Sequence, residues 1–318
     1  MSDFKIGIVL WNQAGTWTEL MDAARAVDDL GYETMWTWDH VKAIFGDPHQ
    51  SIHEGWTTIT AWAMATQRVK IGLMVGANTF RNPALVAKIV TTLDHASGGR
   101  AILGLGGAWF ELEHREFGFD FGTSVGQRLD WLDESVGAIR GLLSGGKATS
   151  PEGGHYRIDG ATINPLPIQA RLPILLGGNG RTKTLRTLAK YGDMWNAFGL
   201  PDEVRELDGV LRRHCEEVGR DEREIERTIN LWVVIRDSEE QARREWASWM
   251  ELNHTPLEAA IQPSRPIFGT PETIAERLAE YAAVGFSTAI VEMPAPYDRE
   301  TLERLAREVR PRLAGRPG

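Results

Sequence analysis

The sequence predicts a (β/α)8 TIM barrel, with insertions after strands 2, 4 and 7, and three observations carry the prediction. Strand-like and helix-like stretches alternate eight times along 318 residues, the pattern of a barrel that size. No low-complexity segment and no Pro/Gly/Ser linker divides them, so one domain over residues 1–318 is expected. The stretch after the first strand, "WNQAGTW", lacks the G-x-G-x-x-G that usually follows the first strand of a doubly wound sheet.

The elements follow in order. Short apolar or β-branched runs near 5–11, 33–38, 69–76, 101–106, 173–177, 193–198, 229–235 and 287–293 read as strands. Amphipathic patterns near 17–30, 54–66, 83–96, 124–143, 180–191, 202–218, 271–284 and 298–313 read as the helices between them. Asn82-Pro83 and Thr270-Pro271 are caps with proline in the first turn, and Gly31, Gly219 and Gly285 stand just past helix ends. Three segments exceed a minimal barrel. They are 39–53 after strand two, 145–172 with the look of a hairpin ahead of strand five, and 237–269 with a tryptophan-bearing helix. The first and third follow strands, so they belong at the face where barrel active sites form.

Composition narrows the function. The chain is 42% hydrophobic and 25% charged, which fits a globular protein with a sizeable core. A net charge of −9 and the absence of a basic run argue against nucleic-acid binding. The single cysteine, Cys215, cannot form an internal disulfide, and no apolar stretch is long enough for a signal or a span. A cytoplasmic protein with no membrane partner is expected.

Barrel chemistry sits where strands end. Strand one ends on Trp11-Asn12, strand two on Trp38-Asp39-His40, strand three on Val75-Gly76-Ala77-Asn78 and strand four on Gly106-Gly107-Ala108-Trp109. Strand five breaks into Gly177-Gly178-Asn179-Gly180, strand six ends on Trp195-Asn196, and strand eight on Glu292-Met293. Aromatic walls with a few polar anchors suit a flat, mostly apolar small molecule. The glycine turn leads into a helix, so it is either an anion site, with Asn179, Arg181 and Thr182 as added donors, or a turn that needs glycine for its geometry. His40 is the candidate acid or base. Asp39 cannot be assumed to orient it, because neighbours on a strand point to opposite faces, and both residues can equally be a loop-entry pair. Glu111-Leu112-Glu113-His114 lacks the H-E-x-x-H spacing of a zinc site and reads as a solvated loop or a salt-bridge cluster, with no metal expected.

The linked set "WDH", "TFRNP", "LDHASGGRAILGLG", "PILLGGNG" and "LAKYGDMWN" resembles the bacterial luciferase-like oxidoreductases, and more closely their actinobacterial branch that uses the deazaflavin coenzyme F420. The resemblance covers nearly the whole chain. It implies an F420-dependent oxidoreductase that moves a hydride between the deazaflavin C5 and a small organic substrate. The alternatives are an FMN-dependent monooxygenase using reduced flavin and oxygen, and a barrel that binds a flavin without turnover. It also implies a non-proline cis peptide in the strand-three bulge, Met74-Val75-Gly76, with the cofactor ring against it and the phosphate on the turn of Gly177, Gly178, Asn179, Gly180 and Thr182. With Asn78, Gly106, Gly107 and Arg181 these make the expected cofactor-binding set. Asp39 and His40 match the catalytic pair. Where some relatives carry a Glu after strand four, this chain has Ala108-Trp109, so a mechanism that relies on that acid is not expected. Arg81 and Arg181 are the expected partners for the carboxylates of an F420 tail. A homodimer is expected.

Overall fold

The structure is a computed structural model that describes residues 4–256 and 266–314. Its strands are β1 (Lys5–Leu10), β2 (Thr34–Thr37), β3 (Lys70–Leu73), β4 (Gly76–Ala77), β5 (Ala101–Gly106), β6 (Ile174–Gly177), β7 (Met194–Ala197), β8 (Glu226–Ile235), β9 (Ile267–Gly269) and β10 (Thr288–Met293). Every ladder is parallel, and β10 pairs with both β1 and β8, which closes a barrel of eight strands, with β4 continuing β3. β9 stands outside the wall, paired with the end of β8 from Val233 to Ile235. The TIM barrel expected from the sequence is therefore the observed fold.

The local reasons are legible. The wall strands lie between helices and the barrel interior, so β5 and β10 are buried along their whole length; β5 reads as an unbroken apolar run, and β10 is interrupted only by Thr288 and Glu292. Helix α1 (Trp17–Asp29) begins with a capping box between Thr16 and Glu19. Helix α2 (Gly55–Ala65) packs on α3 (Pro83–Ser97), which starts at the Asn82 cap with Pro83 in its first turn and stops at Gly98, whose φ is 68°. Helices α4 (Glu111–Phe117), α5 (Val125–Leu143), α6 (Thr184–Tyr191), α7 (Pro201–Val218), α8 (Glu239–Leu252) and α9 (Pro271–Ala283) continue the circuit. The last helix, α10 (Arg299–Arg304), runs through a π-helical stretch, Leu305–Val309, into α11 (Arg310–Leu313). Among the described residues, no helix is long and apolar enough to cross a membrane.

Four elements differ from the sequence reading. Strand three divides at Met74-Val75. α4 forms where a solvated loop or a salt-bridge cluster was expected, and it ends on Gly118, a left-handed stop at φ 74°. α6 begins at Thr184, not near residue 180, since residues 181–183 make a turn first. β9 lies inside the 237–269 insertion; residues 257–265 of that insertion lie outside the described residues. In the 145–172 insertion, Ala148 and Ala161 exchange two antiparallel backbone hydrogen bonds of 2.9 Å, as in a hairpin.

Candidate active site

The mouth of the barrel is organised around a bulge. β3 ends at Leu73, the Met74–Val75 peptide is cis as the resemblance implies, and the chain resumes as β4 against β5. Gly76 is pressed to backbone, since a Cβ there would lie 2.8 Å from the Gly104 carbonyl oxygen. The Val75 side chain fills the space between the ends of β5 and β6. A Cβ on Gly106 would meet Val75 Cγ2 at 2.6 Å, and one on Gly177 would meet Cγ1 at 2.9 Å. Gly107 is crowded in the same way by Leu129, at 2.8 Å. Packing around the bulge thus explains three of the strand-end glycines. Asn78, just past β4, is 3% exposed, and neither its amide nitrogen nor its carbonyl oxygen has a partner among the described residues. Its backbone is fixed, the N–H to Gly106 and the carbonyl to the Tyr156 hydroxyl. A rigid backbone carrying a buried, unsatisfied amide is a site prepared for a polar ligand.

Asp39 and His40 diverge. Asp39 is buried, accepts from the Ala77 N–H at 2.9 Å and receives Arg81 Nη1 on both oxygens at 3.0 and 2.7 Å. Burial pushes its carboxyl up to about 6, against the pull of Arg81 and Ala77. Arg81 spans to Glu54 at 2.8 Å, so this guanidinium holds two carboxylates and ties the bulge to the start of α2. His40 turns the other way and meets Glu113 of α4, with Nδ1 2.8 Å from Oε1. The second Glu113 oxygen accepts the Val41 N–H at 3.0 Å, and the Glu113 side chain is 1% exposed. A carboxylate in this place accepts, so His40 presents a proton to it on Nδ1. Nε2 has no protein partner among the described residues.

Glu113 is the functional residue the sequence reading missed. The sequence reading placed it in a solvated loop or a salt-bridge cluster; the second alternative holds, with Glu116 on Lys42 and Glu113 a buried carboxylate that the helix brings to His40. Its neighbour His114 serves structure, donating from Nδ1 to the Phe110 carbonyl at 2.8 Å and meeting the Thr79 hydroxyl at 2.6 Å, while burial lowers its pKa. Glu113 and His114 face different partners, and among the described residues no group of three or more potential ligands could hold a metal ion.

The glycine turn is braced from below. Gly178 has φ +128°, a left-handed region that excludes a side chain, and its carbonyl accepts from Trp195 Nε1 at 3.0 Å. Asn179 bridges to the loop after β7, donating to the Phe198 carbonyl at 2.6 Å and accepting from the Phe198 N–H at 3.4 Å. A Cβ on Gly180 would sit 2.5 Å from Thr184 Oγ1. Arg181 points away to Glu206 of α7 at 3.2 Å and is largely exposed, as is Thr182. Gly178 also donates its N–H to the Asn196 carbonyl at 3.1 Å, and the Gly180 carbonyl accepts from Leu185. Two of the three named side-chain donors, Asn179 and Arg181, are engaged by the protein, which leaves Thr182 and the N–H groups of residues 179–182 without a partner among the described residues.

Aromatic residues line the opposite side. Phe45 stacks on Trp11 at 4.7 Å and 8°, with Trp38 and Trp232 at 4.5 and 5.2 Å from Trp11. Gln13, fully buried, holds the 41–46 loop in place by accepting from the Ile44 and Phe45 N–H groups and donating to the Phe45 carbonyl. Beneath this wall Glu292 accepts from Trp11 Nε1 at 2.6 Å and Asn230 Nδ2 at 2.8 Å, and burial pushes its carboxyl up to about 7. Of the tryptophans expected as walls, Trp195 is core, whereas Trp109 is 61% exposed and sets its ring edge-on to His40 at 5.6 Å.

The sequence pattern described as luciferase-like monooxygenase matches residues 5–266. An F420-dependent glucose-6-phosphate dehydrogenase of Kineococcus radiotolerans is 27% identical over 93% of each chain. A 4-hydroxyprotoasukamycin monooxygenase of Streptomyces nodosus subsp. asukaensis is 25% identical over 97% of this chain and 88% of its own. Among solved structures, an F420-dependent secondary alcohol dehydrogenase in complex with an F420-acetone adduct shares the fold. The two superpose with a TM-score of 0.84 over 98% of this chain and 99% of that one, at 20% identity.

Proposed function

The chain belongs to the luciferase-like monooxygenase family, and from that premise we propose that it is an F420-dependent oxidoreductase acting on a small organic substrate. The observation that carries the reading is the His40–Glu113 pair, a base with its tautomer fixed, standing beside the bulge and the unsatisfied Asn78 amide. Relatives named for F420 dependence support the choice of cofactor.

The residues present fit such a group. Asn78 offers two donors and one acceptor in a buried position, the complement of a ring edge with carbonyl and N–H groups. The N–H groups of residues 179–182, which have no partner among the described residues, and the Thr182 hydroxyl are the donors available to a phosphate, and the Val75 bulge presents an apolar surface for a ring. When bound, F420 supplies two-electron chemistry by exchanging a hydride at C5. The protein does the rest. His40 Nε2 takes a substrate proton when the substrate is oxidised and returns one when it is reduced. Glu113 holds the proton on Nδ1 in both directions and balances the charge of the protonated ring. Asp39, Arg81 and Glu54 fix the bulge, and Trp109 and the Phe45 loop shield the mouth from water.

The test is turnover with reduced F420 carrying deuterium at both C5 positions, followed by mass analysis of the products from a panel of ketones and enones. The reading expects one deuterium per product molecule. Product without label refutes direct transfer. The monooxygenase relative supports the other reading, reduced FMN with oxygen, and incorporation of oxygen from labelled O2 would select it.

A further inference from the structure

A groove of about 650 Å³ runs down the outside of the barrel between α5, α6 and the 147–158 segment. Its upper end is lined by Thr182 and Lys183, which follow the Gly177–Gly180 turn directly. On the α6 side Lys183, Arg186 and Lys190 are spaced by three and four residues, so they form one stripe along the groove. Two of the three are matched by α5: Lys183 meets Asp130 at 2.6 Å and Lys190 meets Asp133 at 2.9 Å. Glu134, the remaining acid of the lining, accepts the His155 and Tyr156 N–H groups at 2.9 and 3.1 Å. Arg186, between the two pairs, and Lys147, on the hairpin, have no partner among the described residues. On the opposite wall Gly141 leaves open space, since a Cβ there would meet nothing within 4 Å. The lining carries four cations against three acids, and the two cations left unpaired, Arg186 and Lys147, are the positive charge the groove offers in a chain of net charge −9.

We propose that this groove binds the oligoglutamate tail of F420, with Arg186 and Lys147 as the groups that recognise its carboxylates. The inference rests on the F420 reading above. A phosphate on the glycine turn would stand at the groove's upper end, and a string of carboxylates continuing from it would meet Arg186 and then Lys147. FMN ends at its phosphate and has nothing to place there, so the groove distinguishes the two cofactors. The assignment also replaces Arg81 and Arg181 as the expected tail contacts, because the structure engages the first with Asp39 and Glu54 and the second with Glu206.

Two ligands separate the outcomes: F420 with several glutamates and its glutamate-free phospholactyl form. Fluorescence titration at low ionic strength should show the long-tailed form binding about tenfold tighter than the glutamate-free form, an increment that fades with added salt. The double variant Lys147→Glu, Arg186→Glu should lose that increment and keep the glutamate-free affinity, with an unchanged melting temperature. Equal binding of both phosphorylated forms by the natural protein overturns the proposal, and so does a double variant that keeps the increment. Failure of both phosphorylated forms to bind overturns the F420 reading itself, and this proposal with it.

Discussion

Glu113→Gln tests the His40 geometry by the smallest possible change. Glutamine keeps the volume and can still accept the Val41 N–H through its carbonyl oxygen. Its NH2 group then faces His40 Nδ1, which in the present structure lies 2.8 Å from a carboxylate oxygen. Two donors cannot share that contact, so the His40 proton moves to Nε2 and the free base is lost. The Glu113 side chain is 1% exposed, so water cannot fully substitute. Two hydrogen bonds to a carboxylate, from His40 and the Val41 N–H, become neutral ones, a stability cost of about 1–2 kcal/mol. The catalytic cost is larger, because a general base contributes roughly 10²–10⁴-fold. Long-range proton–nitrogen spectra of histidine-labelled protein read the tautomer without any substrate, and kcat reads the consequence. The reasoning expects Nδ1–H in the natural protein, Nε2–H in the variant, and a fall of at least about 10²-fold in kcat with cofactor affinity kept. An unchanged His40 tautomer, or turnover within threefold (about 0.7 kcal/mol) of the natural protein, would refute it.

Asn78→Ala should leave the apoprotein as stable or up to about 1 kcal/mol more stable, since it removes a buried amide with no partner. Its cofactor affinity should fall about tenfold or more, and a destabilised variant that binds normally would make Asn78 structural. Gly106→Ala places a Cβ 2.6 Å from Val75 Cγ2 and should cost about 1–3 kcal/mol in denaturant melts. Adding Val75→Ala should cost less than the sum of the single changes, and strict additivity would count against the packing. Glu292 keeps its proton in the folded state to about pH 7 but loses it near 4.5 when unfolded, so the fold is favoured most below 4.5 and loses roughly 3 kcal/mol as pH rises to about 7. Glu292→Gln removes this slope, so its stability should gain on the natural protein between pH 5 and 8. Parallel stability curves would contradict the burial of the charge.

The barrel was legible because its wall strands are buried on both faces and leave near-continuous apolar runs, and because caps such as Asn82-Pro83 mark where helices start. His40 was legible by its place at a strand end. Its partner was not, since Glu113 lies 73 residues further along and shares its helix with four other charged or titratable neighbours. The one available signal was Gly118 as a helix stop, which would have turned the presumed loop or salt-bridge cluster into a helix with a buried face. The fates of Arg81 and Arg181 were hidden for the same reason: each is claimed by acids distant in sequence, at separations of 42 and 27 residues for Arg81 and 25 for Arg181. Sequence shows that an arginine is available, and only the fold shows whether a carboxylate already holds it.

The most direct test of the central claim is a competition titration of the apoprotein with F420 and FMN. F420 should bind with micromolar or tighter affinity, and FMN more weakly and displaceably. FMN that co-purifies with the protein and resists displacement by F420 would contradict the account.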